Sequence, residues 1–140
     1  MQLSPYLFFD GNCAEAMRYY ERVLGGKIEM MMTQGESPMA AAEVSCVGSP
    51  DRIMHARLVF PGGSAILASD AMQNQPYDKM KGFTLMQHYE TAEEARRIFN
   101  ALADGGTIVM PMEKTFWAEA FGIVTDRFGT PWMVGGAMQK

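Results

Sequence analysis

Apolar and polar positions along the chain follow two periods, and the switch between them marks the elements. After Asn12, residues Ala16, Met17, Tyr20, Val23 and Leu24 recur at helical spacing; after Thr91, Ala95, Ile98, Phe99 and Leu102 do the same. Asn12 and Thr91 suit N-caps, and Glu15 and Glu94 stand three residues further on, which predicts two capping boxes. Gly25-Gly26 and Gly105-Gly106 supply left-handed exits. The aromatic residues on these stripes read as core. After each helix, short runs predict strands, over 27–33, 53–60 and 64–69 and again over 107–112, 119–125 and 131–134. Pro61-Gly62-Gly63 marks a hairpin, and Asp126-Arg127-Phe128-Gly129 the last turn.

These elements form an internal repeat. Glu15-Ala16 recurs as Glu94-Ala95, 79 positions on, and Gly25-Gly26 as Gly105-Gly106, 80 positions on. Each copy reads strand, helix, three strands. The expected organisation is one domain over 1–140, built from a βαβββ module at 1–72 and a second at 82–140, joined by a polar linker at 73–81. The stretch 34–52 is an insertion in which Ser37-Pro38 suits the start of a short helix through Val44. A binding lid and a surface loop are both consistent with it.

Composition narrows the class. Apolar residues make up 48%, enough for a core, and charged residues 20%. The net charge of −4 disfavours nucleic acid and anionic membranes as partners, because both select a basic face. Two cysteines, Cys13 and Cys46, are too few for a disulfide scaffold and suit a reducing cytoplasm. No apolar run reaches the ~18 residues of a membrane span, and the first residues lack the pattern of a signal peptide. The expectation is a cytoplasmic protein with no membrane partner.

The tandem βαβββ pattern, together with Tyr6-Leu7-Phe8-Phe9-Asp10-Gly11-Asn12, Met54-His55-Ala56, Ala68-Ser69-Asp70 and Asp126-Arg127-Phe128-Gly129-Thr130-Pro131-Trp132, resembles the vicinal oxygen chelate superfamily. That superfamily holds glyoxalase I, bleomycin-resistance proteins and extradiol dioxygenases, and the phrases are similar to its PhnB-like branch. The resemblance covers nearly the whole chain. It implies an α+β fold in which the modules form an open, barrel-like curved sheet with helices outside and a ligand site inside. It also implies a divalent cation held on the first, fourth, fifth and eighth strands. Those places fall on Pro5, Leu67, Thr84 and Met133, which offer no useful ligand set, and neighbouring positions do not rescue it. No metal and no other cofactor is therefore expected, and metal-dependent isomerisation or ring cleavage is disfavoured.

Candidate pocket residues remain. A two-residue turn at Gly62-Gly63 would set His55 opposite Asp70, whereas a three-residue loop would set it toward Ser69 and reverse the face. Arg57 shares the face of His55 in either case. Thr84, Met86 and His88 share one face of the fifth strand. Met133 belongs to a methionine-rich set suited to filling gaps in the core, the preferred reading, or to lining a deformable apolar cavity, and Trp117 with Phe116 precedes the seventh strand, where aromatics could close over a flat ligand. Ser37, Ser45, Ser49, Ser64 and Cys46 have no partner motif for nucleophilic chemistry. No Gly-x-Gly turn supports a doubly wound methyltransferase, a label some of this branch carry. The expected function is binding of a small, partly apolar molecule. Alternatives are an enzyme of the same superfamily with a displaced site, or a non-catalytic interaction module. A homodimer is expected, since closed two-fold pairs are the commonest assembly and usual in the superfamily.

Overall fold

The computed structural model describes residues 1–36, 50–72 and 76–138. The helix expected from Ser37-Pro38 to Val44, and Ser37, Ser45, Cys46 and Ser49, lie outside them. The described elements are β1 (Tyr6–Phe9), α1 (Cys13–Leu24), β2 (Lys27–Thr33), β3 (Ile53–Val59), β4 (Ala65–Asp70), β5 (Leu85–Tyr89), α2 (Ala92–Ala103), β6 (Thr107–Glu113), β7 (Ala118–Thr125) and β8 (Pro131–Met138). They fall into two units, Met1–Asp78 and Lys79–Lys140, each a βαβββ module. The N-terminal sheet has the order β1-β4-β3-β2 and the C-terminal sheet β5-β8-β7-β6. In each, the first strand pairs parallel to the last and the other pairs are antiparallel, giving the expected tandem α+β fold.

In the N-terminal unit α1 covers one sheet face. Ala16, Met17 and Tyr20 are fully buried, as are Phe9, Ala56, Leu58 and Ala68, with Leu7 and Ile66 nearly so. Helical and strand periods therefore meet in a single apolar layer. The start of α1 departs from expectation. Asn12 makes no side-chain cap bond, so the predicted capping box does not form. The Asp70 carboxylate, at the end of β4, takes its place. Oδ1 accepts from the Gly11 and Cys13 N–H groups at 2.8 and 3.0 Å, and Oδ2 from Ile53 N–H at 2.7 Å. One side chain thus engages the first helical N–H and ties the helix start to both β3 and β4.

The second unit solves the same junction differently. Thr91 Oγ1 accepts from Glu94 N–H at 3.1 Å, as its motif predicts. β8 extends past the expected 134 to Met138. A Cβ on its Gly136 would stand 2.5 Å from Thr91 O and 2.6 Å from Ala95 Cβ, so α2 rests directly on backbone here. The following turn motif is also explained. Asp126, 3% exposed, accepts from Phe128 N–H, Thr130 N–H and the Trp132 indole N–H at 2.9, 3.0 and 2.8 Å, pinning the β7–β8 turn to the core.

The β3–β4 register resolves the open choice. Ala56 pairs with Ala68 and Arg57 with Leu67, while Phe60 N–H donates to Ser64 O at 2.9 Å. The hairpin loop is therefore the three residues Pro61, Gly62 and Gly63, and β3 stops at Val59 rather than at 60. At the base of the insertion, Gln34 N–H donates to Arg52 O at 2.7 Å and Gly35 N–H to Pro50 O at 3.1 Å, closing its two described ends together.

Asp70→Asn should lower unfolding free energy by about 2–4 kcal/mol in urea titrations, because buried N–H groups lose a charged acceptor. Thr91→Ala should cost about 1 kcal/mol. Asn12→Ala should cost less than about 0.5 kcal/mol, since its side chain bonds nothing at the cap. Equal losses in Asp70→Asn and Asn12→Ala would refute this assignment of the cap.

Candidate functional site

Strand alternation in the N-terminal unit leaves one sheet face away from α1. From β1 it carries Tyr6 and Phe8, from β4 Leu67 and Ser69, from β3 His55 and Arg57, and from β2 Met30 and Met32, as the strand pairings align them. Tyr6 is 40% and Phe8 53% exposed, whereas their neighbours Leu7 and Phe9 are buried. β1 is not adjacent to β3; β4 lies between them. Tyr6 nevertheless reaches over β4, and its hydroxyl lies 3.0 Å from His55 Nδ1. The two rings are stacked, with centroids 5.6 Å apart and planes at 28°. Phe8 continues the row 5.2 Å from Tyr6 at a tilt of 41°.

Two residues along β3 from His55, the Arg57 guanidinium donates from Nε to Glu29 Oε1 at 3.1 Å. Glu29 sits at a bulge between Ile28 and Met30, which directs its side chain toward Arg57. Both groups are about half exposed, so the pair orients the guanidinium more than it stabilises the fold. The face therefore combines three rings, a held cation and methionine.

Asp70 does not belong to it. The carboxylate expected to serve His55 lies on the opposite, helix-facing side, 5% exposed and engaged by three backbone donors. The single-residue difference in hairpin loop length produces this reversal. Asp10, beyond β1, is likewise engaged: Arg52 Nη2 donates to its Oδ1 at 3.3 Å and to Ala71 O at 2.7 Å. The Tyr77 hydroxyl donates to Phe8 O at 2.8 Å, fixing the β1 backbone below the exposed rings.

In the C-terminal unit, Met86 pairs with Met133, and His88 with Gly135, on the face away from α2. Phe121 shares that face: a Cβ on Gly135 would meet Met138 Sδ, Met86 Cε and Phe121 within 4 Å. Trp117 packs edge-on against Phe121, with centroids 5.3 Å apart, and Phe116 edge-on against Trp117 at 4.7 Å. The Thr115 hydroxyl accepts from the Ala118 N–H at 3.1 Å and holds this loop. Thr84 lies just outside β5, exposed, and His88 is exposed at the strand end. The set expected from sequence thus divides: His55 and Arg57 in one unit; Met86, Met133 and, through Phe121, Trp117 in the other. Tyr6, Phe8 and Glu29 were not foreseen. The run Tyr6-Leu7-Phe8-Phe9 is apolar at every position, which hides the alternation. Aligning the halves at the Gly-Gly offset of 80, with Tyr6 matching Met86, carries the missing signal.

A profile of the glyoxalase/bleomycin resistance protein/dioxygenase superfamily matches residues 2–134, and the chain belongs to that superfamily. It is 41% identical to protein YjdN of Escherichia coli (strain K12), over all of this chain and 98% of that one. Among solved structures it is similar to protein PA1353 from Pseudomonas aeruginosa, with 45% identity, a TM-score of 0.89 and coverage of 100% and 99% of the two chains. It shares the fold of the PhnB protein from Bacillus cereus, with 24% identity, a TM-score of 0.80 and coverage of 98% and 100%. No helix among the described residues is long and apolar enough to cross a membrane.

The cation implied by the superfamily does not fit the residues present. Pro5 precedes β1 in phase with buried Leu7, so Tyr6 takes the open-face place on that strand; Pro5 contributes its carbonyl to Leu67 N–H at 3.0 Å. The corresponding open-face side chains are then Tyr6, Leu67, Met86 and Met133, a phenol, an alkyl group and two thioethers, and Thr84, two residues before Met86, adds only an alcohol. That is no set for a hard divalent ion. Among the described residues no three His, Cys, Asp or Glu side chains gather.

Cys13 is fully buried at the start of α1. Burial, and secondarily the Asp70 carboxylate, push its thiol well above the usual range. Alkylation with iodoacetamide near pH ~8 should therefore modify Cys13 at least about a hundredfold more slowly in the folded protein than in denaturant. Peptide mass spectrometry, which separates Cys13 from Cys46, checks this; equal rates would show the thiol to be accessible.

Proposed function

We propose that the chain binds a small, partly apolar molecule on the open face of its N-terminal unit, without the superfamily's metal. The observation that supports this most is the row of Phe8, Tyr6 and His55 rings beside Arg57, all displayed on one sheet face. Keeping aromatic faces exposed to water is unfavourable, and a flat solute that covers them relieves that cost. Membership of a superfamily of small-molecule enzymes and binders agrees with this reading. Protein chemical-shift titration with neutral benzamide should give saturable shifts at amides of β1, β3 and β4. Tyr6→Ala should weaken that binding roughly threefold to tenfold. Absence of saturable shifts at solubility-limited benzamide would overturn the proposal.

The second reading is an enzyme of the same superfamily with its site displaced to this face. The contact between Tyr6 Oη and His55 Nδ1 favours it, because a histidine oriented through one nitrogen presents the other to a substrate. A metabolite turnover screen of wild type against His55→Ala tests it; equal turnover in both proteins removes His55 from any mechanism. For assembly we propose a cytoplasmic homodimer. Light scattering should give about 31 kDa, twice the 15.5 kDa chain, at micromolar concentration. A 15.5 kDa species unchanged on concentrating would refute it.

A further inference from the structure

Resting on the reading that this face binds a small molecule, we infer that the ligand is an aromatic carboxylate, its ring on Tyr6 and Phe8 and its carboxylate on Arg57. Arg57 is held from one side. Glu29 engages the guanidinium through Nε, and the two Nη groups have no partner among the described residues. The Nη pair is the end-on fork of an arginine, and it matches the spacing of two carboxylate oxygens. Glu29 therefore turns Arg57 without occupying the part that recognises an anion.

The surroundings strengthen that preference. Arg57 pairs across the sheet with Leu67 on one side and Met30 on the other, so its neighbours on the face are apolar. Lys27, opposite Val59, has the same strand phase as Arg57 and adds a second cation. His55 stands one repeat along β3, about 7 Å away at strand spacing. In a chain of net charge −4, the strand residues of this face thus carry Lys27 and Arg57 against the single carboxylate Glu29. A local positive balance beside stacked rings selects an anion that is also flat. The exposed ring faces of Tyr6 and Phe8 suit a flat aromatic ring better than a puckered aliphatic one.

Matched probes separate charge from ring. Chemical-shift titrations would compare benzoate, benzamide and cyclohexanecarboxylate against wild type, Arg57→Gln and Arg57→Lys. Benzoate should bind about tenfold more tightly than benzamide, and more tightly than cyclohexanecarboxylate. Arg57→Gln should erase the benzoate preference, lowering benzoate affinity about tenfold toward that of benzamide. Arg57→Lys should retain only part of the preference, because it keeps the charge and loses the fork. Arg57 is 41% exposed, so both variants should fold, which their spectra report directly. If benzamide binds wild type as tightly as benzoate, the carboxylate assignment falls while small-molecule binding stands. The assignment falls equally if the benzoate preference survives Arg57→Gln. If none of the probes binds, the underlying reading falls with it.

Discussion

The Asp70 carboxylate is the constraint on which the N-terminal unit depends. It accepts from Gly11 and Cys13 at the helix start and from Ile53 at the head of β3, while belonging itself to β4. Those three attachments fix which face of β4 meets α1. Once Asp70 points toward the helix, alternation sends Leu67 and Ser69 to the other face, and the pairing sends His55 and Arg57 with them. The candidate site is thus set by a buried acid that never touches it.

The two units show how one topology tolerates two chemistries. At the junction where the first unit uses Asp70 as acceptor, the second uses the Thr91 hydroxyl and lets α2 settle onto Gly136. Their open faces diverge in the same way. The first presents phenol, imidazole and guanidinium; the second presents Met86, Met133 and the Trp117–Phe121 contact. Duplication preserves the backbone because helix caps and strand alternation demand it. Nothing in the packing of α1 or α2 demands that the outer faces stay alike.

The fold was legible because its signals are local and doubled. Helical stripes, capping motifs and the Gly-Gly exits appear twice at nearly one offset, Thr91 caps α2 as its motif predicts, and β2 runs over 27–33 as its pattern predicts. The site was less legible because it depends on register. The loop at Pro61-Gly62-Gly63 reads equally well as two or three residues, and that one residue moved Asp70 from a partner of His55 to a helix cap. Asn12 looked like the cap because its motif is correct; a carboxylate from 58 positions away outcompeted it, which no local pattern encodes. Tyr6 was hidden within four consecutive apolar residues, and its reach across β4 to His55 exists only in the folded sheet.

The binding proposed for this superfamily member requires no metal. The direct measurement is a titration of the purified protein with Zn²⁺, Ni²⁺ and Mn²⁺, read by elemental analysis after desalting and by amide shifts of β1, β4, β5 and β8. The expected result is no stoichiometric retention and no saturable response at Tyr6, Leu67, Met86 or Met133, since those side chains lack hard charged donors. One retained equivalent of metal per chain, with a saturable amide response, would contradict it.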